Sequence, residues 1–213
     1  MRRREFLLNA FHLGGAVACA ALGFSLREIA WASNVQKPKK KATGGSCGSC
    51  GDNALLGSMT DLSSSTSINF WVAEKATAVA TSDCGCRIKI YENADGDAAA
   101  DATVGWAIYG DSGSGYPNGS NILASGTETL SFLGTAGVRD MDLSSLVTGI
   151  VSSTVYWVAA CLSTSDPKVE FETGGAGDGA AYMTGETTPG SPPTDWSGST
   201  NNATRAFGLA LTY

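Results

Sequence analysis

Histidine is nearly absent from this sequence. The one histidine is His12, and it lies in an N-terminal segment that we expect to be removed. A chain without an imidazole cannot run Ser-His-Asp or Cys-His nucleophilic catalysis, nor build the common histidine-rich catalytic zinc sites. The sequence therefore predicts a protein that is not an enzyme. Paired carboxylates, as used by glycosidases, are the remaining enzymatic alternative.

Positive charge is also scarce in most of the chain. From Ala42 onward there are 6 basic and 18 acidic residues, a formal charge of −12. Four further lysines stand together just before this point, between residues 37 and 41. Because a body this acidic repels phosphate backbones, the composition argues against nucleic acid as a partner.

Long stretches with helical periodicity are missing after residue 32. Glycine, 27 residues in all, crowds the gaps between short apolar runs together with Ser, Thr, Asn and Asp, which is typical of tight turns. The hydrophobic content of 43%, with five Trp, six Tyr and seven Phe, is enough to fill a core. We therefore predict an all-β domain, an antiparallel β-sandwich of jelly-roll-like form.

Residues 1–32 have the features of an export signal and are predicted to form a signal helix. The stretch Arg3-Arg4-Glu5-Phe6-Leu7 resembles the twin-arginine (Tat) motif R-R-x-F-L, with Arg3, Arg4, Phe6 and Leu7 at the motif positions. The resemblance implies a chain that folds in the cytoplasm and is exported by the Tat machinery to the periplasm, the cell surface or the medium. Cleavage is expected after Ala32. An uncleaved anchor and lipidation at Cys19 are the alternatives.

The mature chain divides into a tail and a domain. Residues 33–60 read as a flexible tail rich in Lys, Gly, Ser and Cys, and residues 61–213 as the sandwich. In the strand over residues 86–92, Ile88 and Ile90 alternate with Arg87 and Lys89, so one face is apolar and the other polar. Residues 155–162 are apolar at every position, as expected of a strand covered on both faces. The other predicted strands span residues 67–72, 76–81, 104–109, 121–124, 128–133, 138–143, 168–172, 180–184 and 205–213.

Two sequence stretches resemble secreted bacterial and phage-tail jelly-roll modules. Residues 106–125, W-A-I-Y-G-D-S-G-S-G-Y-P-N-G-S-N-I-L-A-S, resemble the pattern G-I-Y-S-D-S-G-G-x-P-G-x-L-L-A-S of these modules. Residues 153–160, S-T-V-Y-W-V-A-A, match the later G-T-x-Y-W-L-A, with Ser153 in place of the glycine. Such modules are similar to carbohydrate-binding modules and are often attached to anchors, adhesins or enzymes. The resemblance implies a binding or structural role. It does not assign a sugar-contacting role to any residue of this sequence.

Three hypotheses for function follow from these features. The first is an exported, non-enzymatic module that binds a glycan or another surface polymer. The second is a self-associating structural subunit of an extracellular or cell-envelope assembly, with the lysine-rich tail and the cysteines linking neighbours. The third is a small thiolate metal protein or a glycosidase that uses carboxylates.

Candidate ligand-binding residues fall in the predicted Gly- and Pro-rich loops. Aromatic rings there can stack on sugars, and nearby carboxylates can accept hydrogen bonds from hydroxyl groups. The alternative is that the rings plug the ends of the sandwich. The candidates are Tyr116, Tyr182, Trp196, Asp111 and Asp178.

Five cysteines follow the export signal. Cys47 and Cys50 form a C-x-x-C, and Cys84 and Cys86 form a C-x-C. Pairing the first two with the second two would close loops of roughly 35 residues and stabilise the fold by about 3–4 kcal/mol. A local Cys47–Cys50 bond, a four-thiolate zinc or iron site and a redox-active pair are the alternatives. Cys161, in an apolar strand, is predicted to be a buried small hydrophobe.

A short acidic stretch has oxygen ligands with the spacing that opens a calcium-binding loop. Its candidate ligands are Asn93, Asp95, Asp97 and Asp101. Ala98 and Val104 occupy the places where an EF-hand has its glycine and its bidentate glutamate, so an acidic turn is the alternative. No other cofactor is predicted.

Overall fold

The computed structural model describes residues 47, 49–57, 64–93, 99–173, 179–202 and 205–213. These residues form thirteen β-strands and no α-helix, arranged as two antiparallel sheets, which confirms the predicted all-β sandwich. None of them forms a helix long and apolar enough to cross a membrane. The predicted signal helix lies outside the described residues.

Most strands follow one another along the chain after short connections, and residues 184–199 form a longer one between β10 and β11. In order they are β1 (Ala54–Gly57), β2 (Ser64–Ser67), β3 (Trp71–Thr77), β4 (Gly85–Glu92), β5 (Ala100–Asp111), β6 (Pro117–Phe132), β7 (Gly137–Val147), β8 (Val155–Leu162), β9 (Lys168–Thr173), β10 (Ala180–Met183), β11 (Thr200–Asn202), β12 (Arg205–Phe207) and β13 (Leu209–Thr212).

The two sheets combine strands that are distant in sequence. In sheet A the strand order is β1-β13-β4-β9-β12, with β2 beside β9 and β7 beside β4. In sheet B the order is β11-β10-β3-β8-β5-β6. The last strand of the chain therefore lies between an early strand and β4, which ties both ends of the described domain into one sheet.

The N-terminal limit of the sandwich lies earlier than predicted. The sequence placed residues up to 60 in the tail, but β1 pairs with β13 in antiparallel fashion, and Leu55 and Leu56 are buried in the main core. The strand is four residues long and follows a Gly- and Ser-rich stretch. Its periodicity is therefore too short to reveal a partner at the other end of the chain.

The main core lies between the two sheets. Ile88 and Ile90 point inward from β4, whereas Arg87 and Lys89 point outward, as their alternation predicted. Sheet B contributes Trp106, Ile108 and Val158 among others, all fully buried. Burial of this apolar surface is the main force that holds the two sheets together.

Strand β8 is covered on both faces, which confirms its prediction as a doubly covered strand. Tyr156, Val158 and Ala160 belong to the core between the sheets, whereas Trp157 and Ala159 belong to a second cluster on the other side of sheet B. The turn before β8 holds Ser153 at a φ of 62°. This is a left-handed conformation, which glycine adopts more readily than serine.

Candidate functional site

The outer face of sheet B, which faces away from sheet A, is aromatic and buried. Its residues come from alternate positions of β3, β5, β8 and β10, since successive side chains of a strand point to opposite faces. We call this group the outer-face cluster. Its buried members are Trp71, Ala73, Ala107, Tyr109, Trp157, Ala159, Cys161, Ala181 and Trp196.

A proline-rich segment, residues 184–199, covers this face, and we call it the covering segment. The indole N–H of Trp71 donates to the carbonyl of Thr188 at 3.1 Å, and the hydroxyl of Tyr109 donates to the carbonyl of Pro193 at 3.1 Å. At Gly105 a β-carbon would lie 2.0 Å from the carbonyl oxygen of Pro189. Any side chain at position 105 would collide with the backbone of the covering segment, so β5 requires a glycine there.

Trp196 is part of the cover and is not an exposed platform. Its side chain is 1% exposed, and its ring meets Tyr109 edge to face, with the centroids 5.6 Å apart. Burial raises the pKa of Tyr109 well above its usual range, and the adjacent Trp196 indole opposes this rise only in part. The prediction that Trp196 offers a face to a ligand is therefore wrong, and the alternative, a ring that plugs the fold, describes it.

Two predicted candidates, Asp111 and Tyr116, flank the turn between β5 and β6 at one end of this face. Asp111 ends β5, and its carboxylate accepts a hydrogen bond from the indole N–H of Trp157 at 2.9 Å. Tyr116 is half-buried against the outer-face cluster. Between them the hydroxyl of Ser112 donates to the carbonyl of Tyr116 at 2.6 Å, which closes the turn. The residues between them, 113–115, are exposed.

Lys75 joins this group and was not predicted. It lies opposite Trp157 in the β3–β8 register, and its ammonium is 6.0 Å from the centre of the indole ring. The ring of Trp157 therefore has a cation near it and a carboxylate on its N–H. We call Lys75, Asp111 and Tyr116 the loop-end surface. The alternation along β3 could have predicted this position. Lys75 follows Trp71 and Ala73 at intervals of two residues, so its side chain lies on the same face of the sheet.

The other candidate aromatic and acidic residues are elsewhere. Tyr182 lies in β10, within the strand predicted over residues 180–184 and not in a loop. It packs against the core between the sheets, and its ring is 6.3 Å from that of Phe70. The structure therefore does not bring it to the loop-end surface. Asp178 lies outside the described residues.

Two disulfides join the N-terminal cysteines to the start of β4. Cys47 bonds to Cys84 and Cys50 to Cys86, with Cα–Cα distances of 5.7 and 5.9 Å. This confirms the predicted pairing, and the local Cys47–Cys50 bond is not formed. Two such bonds indicate an oxidising environment.

Cys161 is the free cysteine of the described residues. It is buried in the outer-face cluster, as predicted. Burial raises the pKa of its thiol to about 12, so the reactive thiolate is disfavoured.

An ion-pair network lies on the outer face of sheet A, beside the disulfides. Arg87, 8% exposed, binds the carboxylates of Asp142 at 2.7 Å and Asp140 at 3.2 Å. Lys89 binds Asp140 and Asp52, each at 3.0 Å. The hydrogen bond and charge of Lys89 lower the pKa of Asp52 below its usual range. Burial by itself lowers the pKa of Arg87, but the carboxylates of Asp142, Asp140 and Asp52 together outweigh it and raise the pKa.

Two of the four candidate calcium ligands, Asn93 and Asp101, lie within the described residues. Asn93 donates its amide to the Glu170 carboxylate at 2.9 Å, and Asp101 accepts from the hydroxyl of Ser131 at 2.5 Å. Asp95 and Asp97 lie outside the described residues, as do the export-signal residues Arg3, Arg4, Phe6 and Leu7. Within the part of the chain that is described, no group of three or more His, Cys, Asp or Glu side chains is arranged to hold a metal ion.

No protein-family model matches the chain, and no curated protein shows significant similarity to it. The assignment of function therefore depends on the chemistry of the sites described above.

Proposed function

We propose that the mature chain is an exported, non-enzymatic β-sandwich module that binds a glycan or another surface polymer through the loop-end surface. The observation that supports this most directly is that Asp111 and Lys75 both lie against the buried Trp157, while Tyr116 packs against the same outer-face cluster. An amphipathic ring beside a carboxylate and an ammonium matches a ligand with apolar ring faces and many hydroxyl groups.

The structure around the loop-end surface favours binding over turnover. Asp111 is held by the indole of Trp157 at 2.9 Å, which fixes its carboxylate as a hydrogen-bond acceptor. The mature sequence contains no histidine to transfer protons. A rigid acceptor, a cation and a half-buried tyrosine suffice to orient a polyol without any reacting group.

The charge of the module narrows the class of polymer. With a formal charge of −12 from Ala42 onward, the body repels polyanions at long range, and Lys75 offers a single local cation. We therefore expect neutral or weakly acidic polysaccharides of the cell envelope to bind more tightly than nucleic acids or highly sulfated glycans. An exported module would meet such polymers in the periplasm, at the cell surface or in the medium.

A glycan array probed with the full chain tests the proposal. We expect selective binding to a set of neutral polysaccharides, and a loss of at least about tenfold in affinity for Tyr116→Ala. Asp111→Asn keeps an acceptor for the Trp157 indole but removes the charge, so it should weaken binding without unfolding the loop.

Tyr182→Ala is the matched control, because Tyr182 is also half-buried but lies on the other face of sheet B. It should leave polymer binding within about twofold of wild type once near-ultraviolet circular dichroism shows that it is folded. An array without any bound polymer, or equal losses for Tyr116→Ala and Tyr182→Ala, would contradict the proposed site.

A further inference from the structure

The four disulfide cysteines lie together at one corner of sheet A. Cys84 and Cys86 flank Gly85, whose α-carbon faces the core side chains of Leu211 and Val147. A register shift between Gly85 and Arg87 interrupts the normal alternation. As a result Cys84 and Cys86, both half-buried, flank an inward-facing glycine.

The segment that carries Cys47 and Cys50 is held in place by more than the disulfides. The hydroxyl of Thr212 donates to the carbonyl of Gly51 at 3.1 Å, and the amide of Tyr213 donates to the carbonyl of Asn53 at 3.3 Å. Asp52 joins the ion pairs of Lys89 and Arg87. Just beyond these residues β1 pairs with β13. We therefore expect these non-covalent contacts to keep Cys50 near Cys86 when both bonds are broken.

The spacing of these residues suits a tetrahedral metal. Cys84 and Cys86 are two residues apart in the chain, and each is bonded to a cysteine whose α-carbon is 5.7 or 5.9 Å away, so the four cysteines are neighbours. A zinc ion in a four-thiolate site lies about 2.3 Å from each sulfur, a shell that four neighbouring cysteine side chains can form once both S–S bonds are reduced. A pair from C-x-x-C and a pair from C-x-C would complete a four-thiolate shell, the typical closed shell of a structural zinc site.

We propose that the reduced chain binds one Zn²⁺ through the thiolates of Cys47, Cys50, Cys84 and Cys86, so that the same four residues form a zinc site before they form disulfides. Binding converts four thiols into four thiolates and releases four protons. Oxidation of the four thiolates by a disulfide-forming oxidant removes four electrons, forms the two S–S bonds and releases the zinc ion.

Under this proposal the four cysteines bind zinc before export and form the two disulfides after it. If the Tat-type signal acts as the sequence predicts, the body folds where thiols are kept reduced, and the disulfides cannot yet stabilise the N-terminal segment. A zinc ion would close the same two loops at that stage. The inference is independent of polymer binding, since the loop-end surface belongs to sheet B.

The experiment compares oxidised and reduced full-length protein in a Cys19→Ala background. Two equivalents of a phosphine reductant break the two S–S bonds, each phosphine supplying two electrons. Each phosphine is oxidised to a phosphine oxide with the oxygen of a water molecule, and the hydrogens of the two water molecules protonate the four sulfur atoms. We then add ZnCl₂, remove unbound metal, and measure zinc by mass spectrometry. Reduced protein should retain one zinc ion per chain, and oxidised protein none.

Two further readouts report the ligand set and its effect on the fold. Cobalt in place of zinc should give the intense visible absorption of a tetrahedral four-thiolate site, lost in Cys50→Ser and in Cys84→Ser. With free zinc about a thousandfold above its Kd, the melting temperature of the reduced chain should rise by roughly 10 °C. Cys161→Ala is the control, and it should keep both the metal and the spectrum.

Several outcomes would overturn the proposal. These are a reduced, folded protein that retains no zinc, a cobalt spectrum without thiolate character, and retention of iron in place of zinc. Loss of the metal in Cys161→Ala would also contradict the assignment of ligands. Circular dichroism of each variant shows whether a failure to bind metal is a failure to fold.

Discussion

Single residues show where the sequence was informative and where it was not. Trp196 stands in a stretch rich in Gly, Ser and Pro, a composition that indicates a loop, and that part of the prediction is confirmed. Its burial depends on how residues 184–199 fold back over sheet B, which involves Tyr109, more than eighty residues away. No local pattern encodes such a contact, so the ring was equally compatible with an exposed platform.

The burial of Trp196 has a measurable consequence for stability. Trp196→Ala should lower the free energy of unfolding by about 3–5 kcal/mol, because it removes a buried ring and leaves a cavity beside Tyr109. Urea unfolding followed by circular dichroism measures the change. Trp196→Phe, which keeps an aromatic ring, should cost clearly less. A loss below about 1 kcal/mol for the alanine variant would show that the covering segment is not packed as described.

Gly126 shows how a residue can mislead a strand prediction. The sequence predicted two strands, 121–124 and 128–133, with Ser125, Gly126 and Thr127 between them. The structure has one strand, β6, through this region. Gly126 lies beneath the ring of Trp106, and a β-carbon there would be about 3.0 Å from the indole. The glycine serves the packing of a tryptophan from the neighbouring strand rather than a change of direction.

At the scale of elements, the strands with their own strong pattern were predicted well. The bounds of β8 agree with the prediction because eight consecutive apolar residues between turn signals leave no ambiguity. The short strands β1, β2 and β11 were missed. Each gains its stability from a partner strand, and three or four residues carry too little periodicity to be recognised alone.

The segment between the disulfides and β1 is also tied to β4 by charge, and this contact should depend on pH. Since Lys89 lowers the pKa of Asp52 in the folded state, the carboxylate stabilises the fold at pH values above the ordinary aspartate pKa of 3.8. That stabilisation is lost as the pH falls below this value. Asp52→Asn should therefore unfold at a lower urea concentration than wild type at about pH 6, and the difference should shrink at about pH 3.

The charge-matched control for this prediction is Asp166→Asn. Asp166 is also an exposed aspartate, but it lies 3.7 Å from a single cation, that of Lys168, and not in the network of Arg87 and Lys89. It should change the urea midpoint much less at either pH. A difference between wild type and Asp52→Asn that stays constant between the two pH values would contradict the assigned role of the ion pair.

At the scale of the whole molecule, sheet B is enclosed on one side by sheet A and on the other by the covering segment. The sequence predicted the sandwich and the doubly covered β8, but not what covers its second side. This arrangement buries four aromatic rings away from solvent, namely Trp71, Tyr109, Trp157 and Trp196. The polar groups of the outer face are left at one end, where Asp111 and Lys75 meet the indole of Trp157.

The most direct test of this account is an NMR titration of the full chain with the polysaccharide that binds best on the array. The indole N–H signal of Trp157 should shift, because that group bonds to Asp111 at the proposed contact surface, together with the backbone amides of residues 111–116. The indole signal of Trp106, buried between the sheets, should stay in place. Shifts confined to residues around Tyr182, or no shift at saturating polysaccharide, would contradict the proposed binding surface.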